Sequence, residues 1–211
     1  MGPLSPLEIL LRFVVLVVSL TFHEAAHAWT ANRLGDPTAK LLGRLTLNPL
    51  AHIDWIGTVL FPIVAMFSGL PLIGWAKPVP VNGANLRAPH RDFAIVAAAG
   101  PISNLILATG FAIIRMVVVG TTSTASEFVY ILTVFLFIGV TTNVLLALFN
   151  MIPVPPLDGG NVAMGVLPPP MARVFAQIRP FGFLILYALM FSGILWDLIG
   201  PVNRLLVNWL S

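Results

Sequence analysis

The sequence predicts an all-α polytopic membrane protein. Of its 211 residues, 58% are hydrophobic and only 9% are charged, whereas soluble domains carry about 25% charged residues. Several apolar stretches also reach the length of about 20 residues that a helix needs to cross a bilayer. We therefore expect about four full transmembrane helices, one re-entrant or short broken segment, and a short β-like loop.

The predicted spans follow the long apolar stretches in chain order. They cover about residues 9–30, 93–119, 128–151 and 181–199. Residues 201–211 are predicted to form an interfacial helix, because Trp209 suits the head-group region. We treat residues 1–211 as a single integral-membrane domain, with a core at about 7–165 and a C-terminal helix and interfacial segment at 181–211.

The segment at residues 57–74 is apolar but is interrupted by Pro62, Gly69 and Pro71. It is either a short broken span or a re-entrant hairpin, which a membrane tolerates only where protein or a cavity covers the backbone. Just before it, Arg44-Leu45-Thr46-Leu47 alternates as a short strand does, and Asn48-Pro49 ends the pattern. This stretch is the predicted β-like loop.

The distribution of Lys and Arg predicts how the chain is oriented. The loops at residues 31–55, 77–91 and 171–179 contain these cations, whereas the turn at 120–127 contains none. By the positive-inside rule, the first three loops are cytoplasmic and the turn lies outside the cell membrane. Because this assignment requires residues 57–74 to enter and leave on one side, it favours the re-entrant hairpin.

An H-E-x-x-H motif, His23-Glu24-Ala25-Ala26-His27, lies in the last third of the first span. Residues i and i+4 share one face of a helix, so both histidines can reach one zinc ion. Glu24 can take a proton from a water molecule as general base. An acidic or basic residue at the centre of a membrane helix costs about 2.5–3.5 kcal/mol on insertion scales, which favours a function. The alternative is a pair of interior histidines bonded to neighbouring helices.

Asp158 is the predicted third metal ligand. It follows several prolines and precedes Gly159-Gly160, which permit close approach of another segment. Two histidines and a carboxylate, with a fourth position open to water, are a catalytic zinc arrangement. The chain has no cysteine, which excludes thiolate zinc ligands and cysteine nucleophiles. The alternative for Asp158 is a carboxylate that caps a following helix near Asn161.

Two asparagines are further catalytic candidates. Asn150 precedes Asp158 by eight residues and can donate a hydrogen bond to a tetrahedral oxyanion, a contribution of about 3 kcal/mol elsewhere. Asn104 follows Gly100-Pro101, a small-residue patch that permits close helix contact. For Asn104 the alternative is a hydrogen bond between helices.

Three other patterns point away from function. Ala26-His27-Ala28 imitates a signal-peptide cleavage site, but no Lys or Arg precedes the apolar run. The net charge of +3 is carried by too few residues to form a basic face for nucleic acid. His52 and Asp54 form a conceivable second metal site, but isolated polar loop residues usually bond the backbone.

The motifs together resemble those of the site-2 protease family, in particular its small bacterial and archaeal members without a PDZ domain. The matching features are His23-Glu24-x-x-His27, Gly100-Pro101-x-x-Asn104, Asn150…Pro155-x-x-Asp158-Gly159, Leu47-Asn48-Pro49…His52-Ile53-Asp54 and Gly74-Trp75-Ala76-Lys77-Pro78-Val79-Pro80-Val81.

The resemblance implies one zinc ion per chain, bound by His23, His27 and Asp158. It also implies that Glu24 is the base, that Asn150 lies near the oxyanion, and that the substrate is a transmembrane segment of another protein in the bilayer. The sequence therefore predicts an intramembrane zinc metalloendopeptidase. The alternatives are an ion or proton transporter and a catalytically silent scaffold that binds partner helices.

Overall fold

The computed structural model describes residues 5–68, 75–122 and 126–210. These residues contain helices and connecting segments but no strand. The α-helices are α1 (Pro6–Arg33), α2 (Thr38–Leu41), α3 (Phe61–Ser68), α4 (Pro89–Thr121), α5 (Glu127–Asn150), α6 (Asp158–Val166), α7 (Pro169–Ala176), α8 (Gly182–Phe191) and α9 (Ile194–Leu210).

The predicted all-α membrane class is confirmed. Four helical segments are long and apolar enough to cross a membrane, namely Pro6–Arg33, Pro89–Thr121, Glu127–Asn150 and Pro170–Phe191. The first begins at a capping box, in which the Ser5 hydroxyl accepts from the Glu8 N–H and the Glu8 carboxylate accepts from the Ser5 N–H.

The long helix α4 is the centre of the bundle, because α1, α5 and α6 all pack against it. Its small residues Ala108 and Ala112 are buried against Val140 and Val144 of α5. Small side chains at a helix interface allow the backbones to approach closely, which is how helices associate in lipid. This packing brings the end of α1, the first half of α4 and the start of α6 to one level.

Asp36 ties the end of α1 to the connection before α4. Its carboxylate accepts hydrogen bonds from the Asn82 N–H at 2.7 Å and the Asn85 side-chain amide at 2.9 Å, and also from Thr38. Burial alone would raise the pKa of Asp36, but the donors at Thr38, Asn85 and Asn82 outweigh burial and hold that pKa below its ordinary value. The charged carboxylate therefore holds the two connections together.

The interrupted segment at residues 57–74 begins as a π-helical turn, Trp55–Leu60, and continues as α3; residues 69–74 lie outside the described ranges. The Trp75 N–H donates to the Gly57 carbonyl at 3.1 Å, and the Thr58 hydroxyl donates to the Trp75 carbonyl at 2.8 Å. The two ends of the segment therefore lie side by side, as a re-entrant hairpin requires and a crossing span does not.

The predicted β-like loop at Arg44-Leu45-Thr46-Leu47 is wrong, since Arg44 has no regular structure and the next three residues form bends. Side chains hold the loop instead of a neighbouring strand. His52 bonds through Nε2 to the Thr46 carbonyl at 2.9 Å, and the Arg44 guanidinium donates to the Lys77 carbonyl. The alternation of side chains is present in the sequence, but the described part of the chain contains no strand with which it could pair.

The predicted last span at residues 181–199 is also wrong. The chain turns at Gly193, whose φ of +81° is a left-handed conformation that favours glycine. Helix α8 ends before this turn, and α9 folds back against α8 after it. The fourth segment able to cross a membrane is instead Pro170–Phe191, which begins earlier in the chain.

The predicted interfacial helix at residues 201–211 also differs from the structure. These residues, as far as they are described, continue α9, and Val207 packs with Ala108 of α4 and Val140 of α5. The contact lies near the middle of α4 and not at its end. This part of α9 therefore packs an apolar face against α4 and α5 and does not lie at the membrane surface. Trp209 on the same helix is 81% exposed.

Candidate metal centre and active site

The two histidines of the H-E-x-x-H motif point to the same place. They lie one turn apart on α1, both are buried, and their Nε2 atoms are 3.0 Å apart. Residues four apart in a helix share a face, so this convergence follows from the local geometry of α1 alone.

Asp158, the first residue of α6, completes a group of three. Its Oδ2 lies 3.0 Å from the Nε2 atom of His23 and 3.4 Å from that of His27. Leu157 occupies the N-cap position of α6, and no side chain caps that helix end. The alternative of Asp158 as a helix cap is therefore not what the structure contains, because its carboxylate faces the histidines.

The turn before α6 is tightly packed, which places Asp158. A Cβ atom added at Gly159 would lie 2.3 Å from the Met151 carbonyl oxygen, and one at Gly160 would lie 2.6 Å from the Pro155 nitrogen. Only glycine fits at such distances from backbone atoms. The two glycines therefore let α6 start close enough to α5 for its first side chain to reach α1.

Gly100 of α4 leaves room in front of the imidazole rings. A Cβ atom at this position would lie 2.4 Å from the Nε2 atom of His27 and 2.6 Å from that of His23. These distances are close to a zinc–nitrogen bond of about 2.0–2.1 Å, so the absent methyl group marks space beside both ligand atoms.

Hydrogen bonds on the far side of each ring determine what the Nε2 atoms offer. His27 bonds through Nδ1 to the Val96 carbonyl at 2.7 Å, and His23 bonds through Nδ1 to Oδ1 of Asn104 at 2.7 Å. A carbonyl oxygen only accepts, so Nδ1 of each ring donates to it, and in the neutral imidazole, which is the form that binds a metal, each Nε2 then presents a lone pair.

Three potential metal-ligand atoms therefore face one another. Oδ2 of Asp158 is buried, and the three ligand atoms lie within 4.8 Å of one another. A tetrahedral zinc ion with bonds of about 2.0–2.1 Å separates its ligands by roughly 3.3 Å, close to the 3.0, 3.0 and 3.4 Å found here. The residues present fit a zinc ion, and a cation there removes the repulsion among these donors.

Glu24 is held from the connection that precedes α4. One of its carboxylate oxygens accepts a hydrogen bond from the Val79 N–H at 2.9 Å. Residues 75–82 contain no helix or strand, in keeping with the extended path that Pro78 and Pro80 impose. The connection thus passes directly over the H-E-x-x-H motif.

The predicted catalytic asparagines occupy different positions. Asn150 lines the cavity in front of the ligand group and donates one N–H to the Leu146 carbonyl at 3.0 Å. Asn104 is fully buried behind His23, does not line the cavity, and bonds only to protein groups. Asn104 therefore makes hydrogen bonds between helices, which is the alternative considered for it.

The cavity itself has a volume of about 540 Å³ and extends from the ligand group into apolar surroundings. It is lined by Glu24, Asn150 and Asp158 together with apolar residues that include Leu20, Val79, Leu146, Phe183 and Leu186. An apolar cleft with a few convergent polar groups is the usual form of a binding site.

Sequence reasoning missed two contributors to this site. Val79 acts through its backbone N–H, which no sequence pattern marks. Asn143 of α5 bonds to Asn104 at 2.9 Å, and a signal for it existed, because an amide within an apolar span needs a partner. His52 and Asp54, considered for a second metal site, bond backbone groups among the described residues.

Comparison with known proteins identifies a matching family model and several similar proteins. The family model described as "Peptidase family M50" matches residues 115–192, a range that contains Asp158 but not the H-E-x-x-H motif. "Putative zinc metalloprotease YwhC" of Bacillus subtilis (strain 168) is 39% identical over 203 residues, which are 94% of this chain and 89% of that protein.

Rip2 of Mycolicibacterium smegmatis, which carries the same description, is 30% identical and aligns over 90% of this chain and 71% of its own length. No solved structure matches the chain. Fold, site and relatives define the class as a polytopic membrane zinc metalloprotease. The chain belongs to peptidase family M50, which confirms the resemblance to site-2 proteases, and zinc is its cofactor.

Proposed function

We propose that this protein is an intramembrane zinc metalloendopeptidase that cleaves peptide bonds in or near transmembrane segments of other membrane proteins. One zinc ion per chain is held by His23, His27 and Asp158. The convergence of their three donor atoms in an apolar cavity, on helices long enough to cross a bilayer, carries this proposal.

The side chains around the ligand group have distinct tasks. Zinc in such a site polarises a carbonyl and makes a water molecule acidic near neutral pH. Glu24 takes a proton from the attacking water and passes it to the leaving amine. Asn150 uses one N–H on the Leu146 carbonyl, and its second N–H is free to donate to the oxyanion.

A transmembrane substrate must unwind before hydrolysis, because helical carbonyls are hydrogen-bonded within the segment. The non-helical residues 77–81 lie over Glu24 and line the cavity, and the hairpin at 57–74 begins beside them. We propose that these two segments pair with the unwound substrate by strand addition. Crosslinks from a trapped substrate that avoid both segments would refute this assignment.

We further propose that the protein lies in the cell membrane with its active site towards the cytoplasm. The connections at residues 31–55 and 77–91, which contain Lys and Arg, lie at the end of the bundle that holds the ligand group. The Arg87 N–H bonds to the Leu34 carbonyl, for example, so the connections after α1 and before α4 are adjacent. The positive-inside rule places this end in the cytoplasm.

The proposal is tested by substituting Glu24→Gln and measuring both zinc content and cleavage of candidate single-span proteins in liposomes. We expect cleavage to fall by about 100- to 10,000-fold, because general acid–base catalysis contributes that much, while zinc content is retained. Glu127→Gln is the matched control, since Glu127 is exposed and is the first residue of α5, whereas Asn150 at the other end of that helix lines the cavity. Unchanged cleavage in the Glu24 variant would reject the assigned base.

A further inference from the structure

Asn143 belongs to a buried chain of side-chain amides that ends at His23. Its Nδ2 donates to the Gly139 carbonyl at 2.9 Å, and its Oδ1 accepts from Nδ2 of Asn104 at 2.9 Å. Oδ1 of Asn104 in turn faces Nδ1 of His23 at 2.7 Å. Asn143 and Asn104 are both fully buried, so the chain connects α5, α4 and α1 without water.

The Gly139 carbonyl, at the end of this row of amides, determines the direction of every hydrogen bond in the row. The Gly139 carbonyl can only accept, so the NH₂ group of Asn143 must face it and Oδ1 must face Asn104. Asn104 then has to present its NH₂ group to Asn143 and its oxygen to His23. The Ser19 carbonyl supports the same orientation of Asn104, but over the longer distance of 3.3 Å.

We propose that Asn143 is a positioning residue that holds the Asn104 amide in the one orientation that leaves the Nε2 atom of His23 free to bind zinc. If the Asn104 amide turned over, its NH₂ group would face Nδ1 of His23, and the proton of the imidazole would move to Nε2. That tautomer has no lone pair at Nε2 for a metal. The inference rests on the proposed ligation by His23.

The test replaces Asn143 with leucine, which has a similar volume and no hydrogen-bonding group. Partners of metal-ligating histidines typically contribute 10- to 100-fold to metal affinity, so we expect zinc affinity of the purified protein to fall by about 10- to 100-fold. Asn203→Leu is the matched control, because Asn203 is a partly buried asparagine of α9 that does not line the cavity.

A second substitution separates orientation from packing. In Asn104→Asp combined with Asn143→Leu, the carboxylate has no NH₂ group to turn towards His23, so it accepts from Nδ1 in either orientation. We expect this double variant to bind zinc more tightly than Asn143→Leu alone. A packing defect at Asn143 would not be repaired by a change at residue 104, so equal or weaker binding would overturn the proposal.

Helical circular dichroism and gel filtration show whether Asn143→Leu folds. If it does not, Asn143→Asp is used in its place. A buried neutral carboxyl group can donate to Gly139 and accept from Asn104, so zinc binding is expected to persist. Loss of zinc from a folded Asn143→Asp variant would contradict the inference. His23→Gln distinguishes a failure of the proposed zinc ligation from a failure of the role proposed for Asn143. If this variant binds zinc as the unaltered protein does, His23 is not a ligand.

Discussion

At the scale of single residues, a glycine of α4 leaves the space in front of the two histidines. Gly100 faces the imidazoles of His23 and His27 so closely that a methyl group would lie 2.4 to 2.6 Å from their Nε2 atoms. Real side chains do not approach at such distances. The absence of a side chain at Gly100 therefore lets α4 pack closely on α1 and also leaves space for a metal beside the two rings.

We expect Gly100→Ala to abolish or strongly weaken zinc binding while the protein remains helical. Alanine is a better helix former than glycine by about 1 kcal/mol, so the loss would come from the space in front of the rings. Zinc per chain, measured by elemental analysis after purification, reports the effect. Gly110→Ala on the same helix is the control, since a Cβ atom there meets nothing within 4 Å.

A Gly100→Ala variant that retains as much zinc as the Gly110→Ala control would show that the metal lies elsewhere. The comparison is direct because both substitutions add one methyl group to α4. It also tests the ligand group independently of any substrate.

At the scale of elements, the connection at residues 75–82 is the least regular part of the site. It also lies against Glu24, the proposed catalytic base. Proline at positions 78 and 80 keeps it out of a helix, so its backbone groups are free to bond elsewhere. The Val79 N–H uses that freedom to hold a carboxylate oxygen of Glu24. The element thereby positions the proposed base as well as bordering the cavity.

Val79→Pro removes this N–H and leaves the other contacts of Glu24 in place. A hydrogen bond to a charged group contributes about 1.5–3 kcal/mol, so kcat should fall by roughly 10- to 100-fold. Zinc content should not change, because the hydrogen bond that is lost is to Glu24 and not to a proposed ligand. Val79→Ala is compared alongside it, since alanine shortens the side chain but keeps the N–H. Equal kcat in the proline and alanine variants would show that the hydrogen bond does not matter.

At the scale of the whole molecule, one end of the bundle differs from the other. The ligand group and the connections at residues 31–55 and 77–91, which contain Lys and Arg, share one end. Glu127 at the start of α5 marks the other. The apolar cavity starts near the charged end and continues between the helices. This polarity is what a protease needs to bring water to a bond near the membrane boundary.

The orientation can be measured cleanly because the chain has no cysteine. We expect a membrane-impermeant maleimide to label Glu127→Cys in intact cells, and to label Arg87→Cys only after the cells are permeabilised. Both positions are exposed in the structure. The reverse labelling pattern would invert the orientation that the positive-inside rule predicts.

Much of the fold could be predicted from local patterns. Helices α1, α4 and α5 are long continuous apolar runs, and their ends agree with prediction within a few residues. The C-terminal part could not be predicted in this way, because the apolar run continues past Gly193 into Ile194-Leu195-Trp196. A turn inside an apolar run depends on which surfaces the two halves can bury, and hydropathy does not record that.

The sequence by itself determined the class of protein, the helix that presents His23, Glu24 and His27, and the three motifs that resemble one family. It could do so because a four-residue spacing on a helix and a 20-residue apolar run have local geometric meaning. The tertiary structure alone decided that Asp158 faces the two histidines, that Asn104 stands behind His23, and that Asn143 and the Val79 N–H support the site. These contacts join residues 39 to 135 positions apart, and such pairings depend on how α1, α4, α5 and α6 pack together.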